Sequence, residues 1–208
     1  MDRYQSLWNE KHNQFYHGSV TYDDLLPRFA DVVEGARLPV IDLACGTGNN
    51  CLYLAEHGKR VVACDYSEAA LDILKQHVPQ ADTRLFDLTE PFPLADRCAD
   101  LVVSDMGLHF FDEATTLRIL AEMRRILTED GFAILRLNAF EDMDPQYAQN
   151  ELERHSVHAD DLDIRYFDEA DIAHFFHGWR ILCAERGQMT RYQGAPREVW
   201  RLLLQNGG

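Results

Sequence analysis

The sequence is poor in positive charge. Its 20 Lys and Arg face 35 Asp and Glu, a formal net charge of −15 over 208 residues. A surface of that sign repels a phosphate backbone, and no basic stripe interrupts it, so nucleic acid is a poor partner. A cationic or small neutral ligand suits the field better. Long apolar runs are also missing, and residues Met1 to Val20 mix charged and aromatic side chains without a signal-peptide core. The expectation is a cytoplasmic protein with no membrane association. Cysteine is sparse and unpatterned: there are five, with no Cys-x-x-Cys, which argues against a structural zinc. Cys45, Cys51, Cys64 and Cys183 sit in or beside apolar stretches, as reduced core thiols do. No repeat or low-complexity linker divides the chain, and its length suits one domain.

What is present is an alternation. Val40–Leu43, Val61–Cys64, Thr83–Phe86, Leu101–Ser104 and Phe132–Leu137 are short apolar runs that read as strands buried on both faces. Between them Asn49–His57, Ser67–His77 and Asp112–Leu127 read as helices, with Ser67 and Asp112 as N-caps. Strand–helix alternation with right-handed crossovers gives a doubly wound parallel sheet with helices on both faces. Tyr22–Val33 reads as an amphipathic helix preceded by an aromatic segment. Glu141–Asp171 is strongly acidic, with only Arg154 and Arg165 as counter-charge, and is expected to begin as a loop or helical insertion. Asp168–Phe176 reads as a helix, followed by strands at Trp179–Ala184 and Glu198–Leu204.

Three carboxylates fall at three consecutive strand ends: Asp42, Asp65 and Asp87. In a parallel sheet these ends share one rim, where ligands of open α/β sheets bind. Each acid alone could equally be a cap or a turn residue. Together they flank Ala44-Cys-Gly46-Thr-Gly48, whose glycines permit positive φ and close approach of a ligand to backbone. The turn itself is open between two nucleotide cofactors. A dinucleotide wants a small residue where Cys51 stands, and would set its pyrophosphate against Asp42. A sulfonium and an ammonium, as in S-adenosylmethionine, are drawn to such a rim.

Residues 40 to about 138 resemble the class I S-adenosylmethionine-dependent methyltransferases, particularly small-molecule members of the tellurite-resistance and ubiquinone-biosynthesis kind. The matching stretches are Asp42 with Ala44, Gly46 and Gly48; Asp65-Tyr66-Ser67; Phe86-Asp87-Leu88; Ala99 to Met106; and Met123 to Gly131. The resemblance implies a seven-stranded Rossmann-like sheet, mostly parallel, with its last strand antiparallel. It implies that the Ala44–Gly48 backbone holds the methionine part of the donor, that Asp42 contacts that part or orders it through water, and that Asp65 takes the ribose hydroxyls with Tyr66 on the adenine. Asp87 and Leu88 would read the adenine edge, and Ser104 and Met106 would line the pocket under the sulfonium. S-adenosylhomocysteine would be the product. The layout expected is a single methyltransferase domain over 1–208, with a helical lid at 1–36, a cofactor-binding core at 37–138, an acidic insertion at 139–171 and C-terminal strands at 172–208.

The acceptor side is less marked. Methyl transfer from a sulfonium needs alignment and exclusion of water, and a base only if the acceptor must lose a proton. His109, just past the fourth strand, is the candidate base; it could equally pack or cap. Trp8, His12, Phe15 and Tyr16 could form a lid or pack against the sheet edge, and Trp8, Tyr16 and Tyr192 are candidate contacts to a small-molecule acceptor. The acidic stretch could select a cationic acceptor or be a solvated loop. His155 and His158 lack a helical context that would aim both at a metal. A non-catalytic donor-binding module and an NAD-dependent oxidoreductase remain as alternatives.

Overall fold

The computed structural model describes residues 3–159, 161–189 and 196–207. Helix α1 spans Arg3–Phe15 and α2 Ala30–Gly35. Then β1 (Val40–Leu43), α3 (Asn49–Glu56), β2 (Val61–Asp65), α4 (Glu68–His77), β3 (Asp82–Leu85) and β4 (Ala99–Asp105) alternate. After them come α5 (Glu113–Ile126), β5 (Leu127–Asn138), three short strands β6 (Glu151–Glu153), β7 (Ser156–Ala159) and β8 (Leu162–Arg165), then α6 (Glu169–Phe175), β9 (Arg180–Met189) and β10 (Arg197–Gln205). Seven strands form one sheet in the order β3-β2-β1-β4-β5-β10-β9. β1 to β5 are parallel, and β10 runs antiparallel between β5 and β9. This is the doubly wound sheet expected, with its antiparallel last strand.

Side-chain alternation along β1 explains both faces. Ile41 and Leu43 join a core with Leu120 and Met123 of α5 and Ile172 and Phe175 of α6. Val40 joins the opposite core, with Val33 of α2, Leu54 of α3 and Leu74 of α4. The crossover helices start where expected. Ser67 Oγ accepts from the Ala70 amide, Asp112 Oδ1 from the Thr115 amide, and Asp168 with Asp171 forms a reciprocal capping box.

Three expectations change. The helix expected over Tyr22–Val33 begins only at Pro27, as a 3-10 turn leading into α2. Proline has no N–H to donate into an earlier turn, and the Asp23 carboxylate accepts from the Leu25 amide instead, an Asx turn. β3 is the sheet edge and is not buried on both faces: Leu85 is 50% exposed. The acidic stretch begins, as expected, with helical turns at Phe140–Asp142 and Pro145–Asn150, but beyond them β6, β7 and β8 form a second, antiparallel sheet that was not expected. Val157 and Leu162 are buried there, while His158 and Asp163 pair on the exposed side. Its acid content obscured a period-two alternation.

Candidate active site

The carboxyl ends of β1, β2 and β4 meet at a rim built from strained backbone. Ala44 (φ 55°), Gly46 (54°), Gly48 (94°) and Met106 (59°) all adopt positive φ, a conformation that clusters at functional sites. The glycines serve different ends. A Cβ on Gly48 would lie 2.7 Å from Leu74 Cγ, so this glycine lets α4 pack under the turn. A Cβ on Gly46 would meet only His12 Cε1, at 3.3 Å. Gly107 is needed as well, since its Cβ would lie 2.6 Å from that of Ala44.

Above this turn opens a cleft of about 1560 Å³, larger than a pocket for one small ligand. Ala44, Gly46, Asp65, Tyr66, Asp87 and Leu88 line one side of it. Asp65 ends β2, and its two oxygens each accept a backbone N–H at 2.8 Å, from Gly46 and from Ser67. Asp87 Oδ1 accepts from the Thr89 amide at 2.8 Å. Two carboxylates are thus fixed by short turns at adjacent strand ends, facing one space.

Asp42 lies elsewhere. The same alternation that sends Val40 toward α3 and α4 buries Asp42 beneath the turn, where it accepts from the Cys51 thiol at 3.1 Å. A hydrogen bond with Cys45 pulls that thiol's pKa down, but burial and Asp42 push it up to about 12, so Cys51 stays a donor. Asp42, Gly48 and Ser104 do not line the cleft. Ser104 Oγ is buried without a hydrogen-bond partner among the described residues.

The other side is formed by the end of β4, the turn after it and the start of β10. Asp105, Met106, His109, Phe110 and Arg197 line it. Both oxygens of Asp105 take the fully buried Arg136 guanidinium, and Asn50 of α3 adds a bond at 3.0 Å. His109 is buried, its Nδ1 without a partner among the described residues. Burial, reinforced by Arg197 and opposed by Asp105, lowers its pKa to about 3. Arg197 donates from Nε to Asp142 at 3.0 Å and from Nη2 to Asn138 at 2.9 Å.

Two elements roof the cleft. Asn9 of α1 accepts from Ser67 Oγ and the Ala69 amide at the start of α4, and Gln5 donates to the Tyr66 carbonyl. Trp8 stands edge-on to Phe110, ring centroids 4.8 Å apart, and Tyr16 is tied to His77 across 2.5 Å. His12 is largely buried, which lowers its pKa against the pull of Asp65. From the other direction the second sheet contributes Leu152, Ser156, Leu162 and Ile164. His155 and His158 diverge, to Asp171 and Asp163 respectively. His155, Asp168 and Asp171 bring metal-ligand atoms together, but Arg154 already bonds both carboxylates.

Of the residues singled out from sequence, Ala44, Gly46, Asp65, Tyr66, Asp87, Leu88, Met106, His109, Trp8 and Tyr16 share this cleft. Tyr192 lies outside the described residues. Asn50, Arg136 and Arg197 were not foreseen. Their roles depend on which strands become neighbours, and nothing local to them signals it.

Residues 40–131 match the family model described as a methyltransferase domain. An uncharacterized methyltransferase of Synechocystis is 38% identical over 48% of this chain and 47% of its own. The trans-aconitate 2-methyltransferase of Delftia acidovorans is 34% identical over 40% of this chain and 33% of its own. The chain thus spans less than half the length of these two curated relatives. A crystal structure of a SAM-dependent methyltransferase from Methanosarcina mazei superposes with a TM-score of 0.73 at 17% identity, over 82% of this chain and 92% of that one, a likeness of fold. Among the described residues no helix is long and apolar enough to cross a membrane. The segment that builds the rim and its glycine turn is thus the part of the chain that is similar to methyltransferase domains.

Proposed function

We propose that the chain transfers the methyl group of S-adenosylmethionine to a small-molecule acceptor, releasing S-adenosylhomocysteine. The observation that carries this reading is one cleft with two unlike walls. The strained turn with Asp65 and Asp87 forms one, and Asp105, His109 and Arg197 form the other.

The donor fits the first wall. A carboxylate offers about four lone-pair sites, and Asp65 has spent two on backbone amides, leaving two for a vicinal diol such as a ribose. Asp87 has capacity for an amino group beyond the one amide it accepts. The Ala44–Gly46 backbone would hold the amino-acid part, with no side chain on Gly46 to obstruct it. Tyr66 and Leu88 would flank the adenine, and Met106 would line the space beside the sulfur. Asp42 contributes from below, by anchoring Cys51 and the start of α3 under the turn. When bound, the donor supplies a methyl carbon already activated for in-line displacement.

The protein's task is then alignment and exclusion of water, to which the α1 roof is suited. His109 serves as a neutral hydrogen-bonding group beside the acceptor. Burial holds its pKa near 3, so the ring is neutral at neutral pH and a weak base, which favours hydrogen bonding over proton abstraction. An acceptor whose nucleophile needs no deprotonation by the protein suits this wall.

Calorimetric titration with S-adenosylmethionine and S-adenosylhomocysteine tests the reading. Both should bind, and Asp65→Ala should weaken both about tenfold or more, the loss of charge-assisted hydrogen bonds. No heat with either ligand, or unchanged affinity in Asp65→Ala, refutes it.

A further inference from the structure

The acceptor wall is less negative than the overall charge of −15 suggests. Each acid on it is already engaged. Asp105 is gripped on both oxygens by Arg136, Glu153 takes Arg165, Asp163 takes His158, and Asp112 caps α5. What this wall offers a ligand is a cation. Arg197 opens β10, which runs antiparallel beside β5, so its guanidinium stands next to Asn138 at the rim. Asn138 is fully buried, and with Asp142 it fixes the Nε and Nη2 donors. Nη1 has no partner among the described residues, and the side chain is 36% exposed within the lining of the cleft. A guanidinium held on one edge with donors left at its end is pre-organised for a planar anion.

The surroundings set the rest of the ligand. Leu162 and Ile164 of β8, with Leu152 and Phe110, add apolar surface to the same cleft, and Leu152 is exposed although it belongs to this lining. We propose that the acceptor is a carboxylic acid with an apolar body, its carboxylate seated on Arg197 and its body against Leu152, Leu162 and Ile164. This rests on the methyltransferase reading and adds the acceptor class. It differs from the cationic or small neutral ligand that the acidic composition suggests. It also agrees with a wall lacking a base, since a carboxylate is ionised at neutral pH without help.

The test uses the full chain saturated with S-adenosylhomocysteine. Octanoate, benzoate and succinate are titrated as probes alongside their amides, octanamide, benzamide and succinamide. At least one of the two apolar acids should bind, its amide about tenfold more weakly or worse, and succinate more weakly than that acid. Arg197→Met should abolish the preference for acid over amide, and Arg197→Lys should keep part of it, because lysine keeps the charge and loses the fork. Affinity for S-adenosylhomocysteine, measured on the same samples, should stay within about twofold, which also shows that each variant is folded. If Arg197→Met does not fold, Arg197→Lys decides alone. Acid and amide binding alike, a preference unchanged in the variants, or no acid bound while S-adenosylhomocysteine binds would each overturn the proposal. Failure to bind S-adenosylhomocysteine at all would strike the methyltransferase reading itself.

Discussion

Arg136 Nε and Nη2 lie 2.6 and 2.7 Å from the two oxygens of Asp105, with the arginine side chain fully buried and the aspartate 3% exposed. The pair links β4 to β5 at the floor of the acceptor wall. A buried pair of this kind contributes little net stability, but breaking it leaves an uncompensated charge. Arg136→Met should therefore cost about 3–5 kcal/mol in chemical denaturation. Adding Asp105→Asn to it should recover part of that loss. A double variant as unstable as the sum of the two singles would show that the two residues do not act as a pair.

His109 makes a prediction in pH. Its folded pKa lies near 3 against about 6.5 for a free imidazole, so the unfolded chain binds the proton first. The neutral buried ring contributes stability that is fully present above about pH 6.5 and is lost as pH falls toward 3. The stability difference between wild type and His109→Gln should shrink across that window. By NMR the His109 ring should show no titration between pH 5 and 8. An imidazole that titrates near 6.5 would instead favour a general base at this position.

The glycines of the turn separate packing from binding. Gly48→Ala puts a Cβ 2.7 Å from Leu74 Cγ at φ 94° and should destabilise by about 2–3 kcal/mol. Leu74→Ala in the same chain should relieve part of the clash, a coupling visible in a double-mutant cycle. Gly46→Ala meets only the flexible His12 and should cost about 1 kcal/mol of stability. Its loss should appear instead in affinity for S-adenosylmethionine. Equal effects of the two substitutions on stability and on affinity would contradict this division.

The parallel core was legible because strands buried on both faces leave near-continuous apolar runs, as Val40–Leu43 and Leu101–Ser104 do. Asp65 and Asp87 were legible because strand ends of a parallel sheet fall on one rim. The placing of Asp42 was not legible: strand alternation turns its side chain toward Cys51 rather than the cleft. Arg197 gave no signal at all. It matters only because β10 folds back beside β5, pairing it with Asn138 from 59 residues away. The second sheet was hidden for another reason, since β7 and β8 are only four residues long, too short for the alternation of Val157 with His158 and of Leu162 with Asp163 to stand out in an acidic stretch.

The docking of α1 can be tested through a single contact. Asn9 Oδ1 accepts from Ser67 Oγ at 2.7 Å and from the Ala69 amide at 3.2 Å, so it joins the roof to the first turn of α4. From the same helix Gln5 reaches the Tyr66 carbonyl, and Arg3 pairs with Asp161 on the surface, where an ion pair contributes little. Asn9→Ala should cost only about 1 kcal/mol of global stability, the value of a cap-type bond. Because Asn9 joins α1 to α4, local opening of α1 should change far more than global stability. Hydrogen exchange of the α1 amides should accelerate while β1 and β4 keep their protection. Saturation with S-adenosylhomocysteine should slow that exchange again if α1 closes over the donor. Exchange rising equally in α1 and β4, or unmoved by the ligand, would make the helix part of the folded core rather than a roof.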